Sequence, residues 1–142
     1  MHLMEMILVM FAVVFFTSIS LIYNRGAWSQ KENLYNANSF VQATILAHSV
    51  LDEVDAKLLS KQITFDGIIS NFNTERVVNL AHVGETYRLT IRAVQADSTG
   101  VALGSANPGN IYTKVSIQVS ASAGLKRPVN MSRIYLKTHL NS

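Results

Sequence analysis

Cysteine is absent from these 142 residues, proline occurs twice, and charged side chains make up only 15% of the chain. Without a thiol there is neither a disulfide framework nor a thiolate zinc site, which excludes a stapled secreted mini-domain and a zinc finger. The charged share is well below the usual quarter, and beside it stand 49% hydrophobic residues, more apolar surface than one small core absorbs. Part of the chain must therefore face something other than water. Twelve Lys plus Arg exceed nine Asp plus Glu by three. The cations are scattered singly apart from Lys126-Arg127, so no basic stripe points to nucleic acid. The length suits one domain and excludes most multidomain enzymes.

The apolar excess is concentrated in Met6 to Tyr23, MILVMFAVVFFTSISLIY, which carries no charge and only Thr17, Ser18 and Ser20 as small hydroxyl residues. As a helix this run rises roughly 27 Å, close to the hydrocarbon thickness of a bilayer. Two other readings compete with a spanning or filament-core helix, namely a cleavable signal peptide and a buried core helix. A signal peptide needs a basic start and a small-residue cleavage site, whereas Met1-His2-Leu3-Met4-Glu5 has no Lys or Arg and nothing after Ser20 offers a clear site. Tyr23 and Trp28 flank the run and suit either a membrane interface or a subunit contact.

From Trp28 to Ser60 the chain turns polar with apolar residues at helical spacing. Phe40, Ala43, Ala47, Leu51, Val54 and Leu58 form one stripe, and Lys31, Glu32, Gln42, Asp52, Glu53 and Lys57 fall mainly elsewhere. The spacing predicts one helix from about Met1 to Ser60 with a weak point at Arg25-Gly26, on the order of 90 Å long. No globule of this size encloses such a rod, so its first half needs cover from lipid or from other subunits. The chain divides accordingly into an apolar helix over 1–24, an amphipathic continuation over 25–60 and a head over 61–142.

The head reads as strands. Tyr87 to Arg92 alternates, with Tyr87, Leu89 and Ile91 on one face and two arginines on the other. Ile111 to Ala121 repeats the pattern, with Ile111, Thr113, Val115, Ile117, Val119 and Ala121 on the apolar side. Ser132 to His139 closes the chain as a third strand, with Ile134, Leu136 and Thr138 predicted on the buried face. Turn residues fill 97–110 and 123–130, as a meander requires. In the segment 62–84, Ile63, Phe65, Ile68 and Ile69 suggest a short strand or a loop around Asp66-Gly67. The expected class is α+β: a very long amino-terminal helix packed by its carboxy-terminal half on a small antiparallel sheet.

Little of the chain suggests catalysis. His2, His48, His82 and His139 lack ligand spacing, and read as ordinary packed or solvated histidines. Asp52, Glu53 and Asp55 read as a solvated acidic face, since neighbouring helical positions diverge. Gly100, Gly104 and Gly109 have no P-loop lysine and read as turn residues. No nucleophile, metal cluster or cofactor loop is found, so the expectation is a non-enzyme with no cofactor and no metal. Glu5 is the exception to these ordinary readings. A carboxylate entering a dry environment needs a positive partner, and no Lys or Arg precedes Arg25, about 30 Å away along a helix. The cation at hand is the terminal amine of Met1. A helix dipole favours a carboxylate in the first turns as well. The alternative reading places Glu5 at the water interface of a membrane anchor, where it needs no partner.

Glu5 ahead of an uninterrupted apolar stretch, a long helix with an amphipathic second half and a closing antiparallel sheet together resemble a mature type IV pilin or a type II secretion pseudopilin. The specific part is MHLMEMILV, Met1 to Val9, with a bulky apolar first residue and glutamate fifth. Leu46 to Glu53 is similar to the helix of some minor pseudopilins. The resemblance implies that a prepilin peptidase removes a basic leader and that the new amine of Met1 is methylated. It implies a subunit held in the inner membrane, then polymerised by assembly machinery into a helical homo-oligomeric surface filament. Glu5 would pair with a neighbour's Met1 amine. Where the family commonly has a glycine and a proline, this chain has Val14 and Ile22, which leaves Asn24, Arg25 and Gly26 as the candidate helix-melting region. A minor pseudopilin and a single-pass membrane-anchored binding module are the alternative readings.

Overall fold

The computed structural model describes residues 2–137. It contains helix α1 (His2–Leu59), a short helix α2 (Gly67–Asn71) and four strands, β1 (Thr74–Leu80), β2 (Glu85–Gln95), β3 (Tyr112–Ala121) and β4 (Val129–Leu136). The strands form one antiparallel sheet in the order β1-β2-β3-β4, the expected meander with one strand more than the three read from the sequence. The class is α+β, as the hydrophobic spacing implies.

By contact density the chain separates into two units, 1–37 and 38–142. The first consists of the opening part of α1, and its described residues are nearly all exposed. The second holds the core. Ala43, Ala47, Val50, Leu51 and Val54 of α1 are buried with Tyr87, Leu89, Ile91 and Ala93 of β2 and Val115, Ile117 and Val119 of β3. Phe65, Ile68 and Phe72, on and around α2, join the same cluster. Burying the Val, Leu, Ile and Phe side chains among them contributes about 1.5–3 kcal/mol each. Small Ala43 and Ala47 let the helix approach the sheet closely.

The stripe on α1 differs from the expected one at its first turn. Ser39 is buried there, whereas Phe40 is 53% exposed. Periodicity fixes a helical face but not how the covering chain meets the end of that face.

Helix α1 stops in a Schellman arrangement, with Gln62 N–H donating to Lys57 O (3.0 Å) and Lys61 N–H to Leu58 O (3.1 Å). Lys61 occupies the left-handed position usually given to glycine, at φ 56°. Ile63 to Ile69 do not form a strand: α2 begins at Gly67 and buries Ile68 under the sheet's apolar face. Asn73 then joins α2 to β1. Its side-chain oxygen accepts from Ala93 N–H (2.9 Å) and its amide donates to Ala93 O (3.0 Å), continuing the β1–β2 ladder by one side chain.

The face predicted for the last strand is reversed. Val129 and Tyr135 are buried, and Ile134 and Leu136 are exposed. Register explains this, because Tyr135 pairs with Thr113, Arg133 with Val115 and Met131 with Ile117, all inward positions of β3. β4 also starts at Val129, inside the stretch read as a turn. Thr138 and His139 of the predicted strand lie outside the described residues.

Candidate functional site

Residues 2–24 form regular helix, and every side chain in that stretch is exposed. The 18-residue stretch long and apolar enough to cross a membrane has none of its surface buried. Two of its hydroxyls are satisfied within the helix: Thr17 donates to Val13 O (2.7 Å) and Ser18 to Val14 O (2.8 Å). Such back-bonding satisfies a small polar side chain inside the helix itself. The surface is shaped by rows of side chains four residues apart. One groove is lined wholly by Ile7, Met10, Phe11 and Val14. A second lies among His2, Glu5, Met6, Val9 and Met10, so Glu5 sits at the wall of an otherwise largely apolar groove.

Glu5 is on the first turns of α1, where the unpaired amides favour a carboxylate. His2 Nδ1 lies 3.7 Å from its carboxylate, and both side chains are well exposed. Sequence reasoning considered only the terminal amine and passed over this imidazole one turn away. Met1 itself lies outside the described residues. Asn24, Arg25 and Gly26 are helical and exposed, with nothing within 4 Å of a Cβ placed on Gly26. Just beyond the apolar run, Lys31 Nζ sits 5.5 Å from the centre of the Trp28 ring. With Tyr23 and Arg25, these residues make a belt of rings and cations of the composition found at membrane–water boundaries.

In the second unit the acidic residues of α1 correct the expectation of a solvated face. Asp52 is exposed, but Glu53 takes a two-pronged contact from Arg76 of β1 (2.5 and 3.2 Å) and a third from Lys57 (2.7 Å). Asp55 pairs with Arg133 of β4. Two residues apart on a helix diverge by about 160°, so these two carboxylates leave α1 on opposite flanks. Each meets an arginine from a different edge strand, which fixes the helix laterally across the sheet. The Arg76 hydrogen bonds hold the Glu53 carboxyl down at about 2, and the same contact raises the Arg76 guanidinium. Burial raises the Tyr135 hydroxyl, which reaches Leu51 O at 3.4 Å.

Glu85 gave no signal in the sequence because its partners lie 37 to 39 positions away. It is 1% exposed. Its carboxylate accepts from Ser122 Oγ (2.9 Å), Ala123 N–H (2.8 Å) and Gly124 N–H (3.1 Å), closing the loop between β3 and β4. The glycine-bearing loop after Ala96 is ordered by Asp97, whose carboxylate accepts from the Thr99 amide (2.8 Å) and hydroxyl (2.6 Å) and the Val101 amide (2.9 Å). Led by the Thr99 hydroxyl, these bonds lower the Asp97 carboxyl. His48 and His82 are exposed, and His139 lies outside the described residues. Among the described residues, no three His, Cys, Asp or Glu side chains come together as a metal-ligand set. Comparison of the chain with protein-family models, with curated proteins and with solved structures finds no match.

Proposed function

We propose that this protein is a pilin-like structural subunit that polymerises into a helical surface filament through the opening part of α1. The observation that carries this reading is an unbroken, fully exposed apolar helical surface over 2–24 with one carboxylate, Glu5, at its start. Such a surface is not stable in water. Other copies of the same helix cover it with matching ridges and grooves, and a bilayer covers it beforehand. The combination with a helix-on-sheet head is compatible with a pilin-like fold.

In this mechanism the helices of neighbouring copies bundle at the filament core and supply most of the association energy. Glu5, carried into that dry core, neutralises the Met1 amine of an adjacent copy and thereby sets the axial register. Asn24, Arg25 and Gly26, exposed and glycine-containing, are the stretch assigned to loosen on assembly. A prepilin peptidase and the assembly machinery of the inner membrane are the implied partners, with the head at the filament surface.

The belt of Tyr23, Arg25, Trp28 and Lys31 favours a second reading, a single-pass anchored module that never polymerises. One pair of variants separates the two. Glu5→Gln leaves membrane insertion intact and reduces sheared surface filaments, seen by electron microscopy, by at least about tenfold, the effect of removing one buried charge pair. Two residues inserted before Met1 disrupt filaments equally. A normal filament yield from either variant overturns the pairing, and failure of the unmodified protein to form any polymer selects the anchored module.

A further inference from the structure

We propose that the outer face of the sheet, across β2, β3 and β4, binds a carboxylate-bearing polysaccharide. This inference stands apart from polymerisation, since it concerns the head alone.

The face turned away from α1 holds a shallow depression of about 520 Å³, within the usual range for ligand sites. Cross-strand pairing aligns two polar rows along it, Arg92–Ser116–Ser132 and Thr90–Gln118–Asn130. Each row carries hydroxyl or amide groups that both donate and accept, which matches the vicinal hydroxyls of a sugar. Lys114 lies diagonally across from Arg92, about 7 Å away at the backbone. Its ammonium donates to Gly100 O (3.0 Å), and that bond orients it at the edge of the depression while leaving further protons to give. The Arg92 side chain is exposed and makes no hydrogen bond or ion pair among the described residues. A guanidinium free to form a two-pronged contact, beside an ammonium, suits a carboxylate.

The described lining contains no acidic side chain and no aromatic ring. The nearest acid on this face, Glu75 opposite Thr90 on β1, stands at the margin of the depression and lies 4.0 Å from the Arg88 guanidinium, so an approaching anion meets chiefly Arg92 and Lys114. Missing rings remove the stacking platforms on which bases are held, and two cations are few for a phosphate backbone, so an acidic sugar fits better than nucleic acid. The open, shallow form of the depression suits an extended chain passing over several rows rather than an enclosed small anion.

The test uses the full chain in uncharged detergent over immobilised polygalacturonate, its methyl-esterified form and duplex DNA, read by surface plasmon resonance. The proposal expects binding to polygalacturonate, about tenfold weaker binding to the ester, and a similar loss in the Arg92→Gln/Lys114→Gln variant. Lys61→Gln/Arg127→Gln removes the same charge from exposed positions elsewhere, and is expected to change binding by less than about twofold. Absent binding, equal binding of the ester, equal loss in both double variants, or tighter binding of DNA than of polygalacturonate overturns it. Circular dichroism confirms folding of the variants, and the comparison of acid with ester on the unmodified chain decides the matter even where a variant unfolds.

Discussion

The Glu53 carboxyl is displaced well downward, from an ordinary 4.5 to about 2, by its hydrogen bonds from Arg76. Between those values the folded chain binds fewer protons than the unfolded chain, so the stabilisation is complete above about pH 5 and is lost as pH falls through about 2. Because the pair is partly exposed, solvent screening reduces its value. Glu53→Gln is therefore expected to lower stability at neutral pH by about 1–2 kcal/mol and to flatten the dependence of urea unfolding on pH across that acid range. An unchanged acid limb would show that the Arg76 contact does not hold α1 in solution. Glu85 works differently, as a buried acceptor for the buried Gly124 amide and the part-buried Ala123 amide. Glu85→Ala leaves the Ala123 and Gly124 N–H groups without that acceptor, with an expected cost of about 2–3 kcal/mol in thermal denaturation and faster exchange of the Gly124 amide.

Among the elements, the two edge strands depart most from simple alternation, and for one reason. β1 and β4 each place an arginine at an inward register position, Arg76 opposite Leu89 and Arg133 opposite Val115. One helix does not cover a four-stranded sheet from edge to edge, so at the margins an inward side chain must be long enough to reach the helix's flank. Hydrophobic alternation consequently identified β2 and β3, whose inward residues are buried from Tyr87 to Ala93 and from Thr113 to Val119, but missed β1 and inverted β4. Glu53 and Asp55 were misread for the same reason, since the arginines they meet are 23 and 78 positions distant, whereas Asp52 is exposed as expected. At the end of α1, Lys61 holds a left-handed conformation that costs a residue with a Cβ about 1 kcal/mol. Lys61→Gly is expected to raise stability by up to about 1 kcal/mol in denaturant melts, offset partly by greater freedom of the unfolded chain. A loss of stability there would mean that the lysine side chain makes a contribution larger than the strain.

For the molecule as a whole, the first buried side chain among those described is Ser39, so residues 2–24 give nothing to the core. A chain beginning at Arg25 is expected to stay monomeric without detergent and to keep the circular dichroism of its sheet, whereas the intact chain enters detergent or polymerises. Analytical ultracentrifugation of the two separates these outcomes, and an intact chain that remains monomeric in plain buffer counts against both lipid and self-association. Residue order alone determined the long helix, its apolar first part, the buried faces of β2 and β3 and the position of Glu5, because each depends on spacing within a few residues. The clamp by Arg76 and Arg133, the capture of loop amides by Glu85, the reversed face of β4 and the polar outer rows around Arg92 were decided only by the tertiary structure. Those features join groups far apart along the chain, and only folding brings such charges and amides within hydrogen-bonding distance.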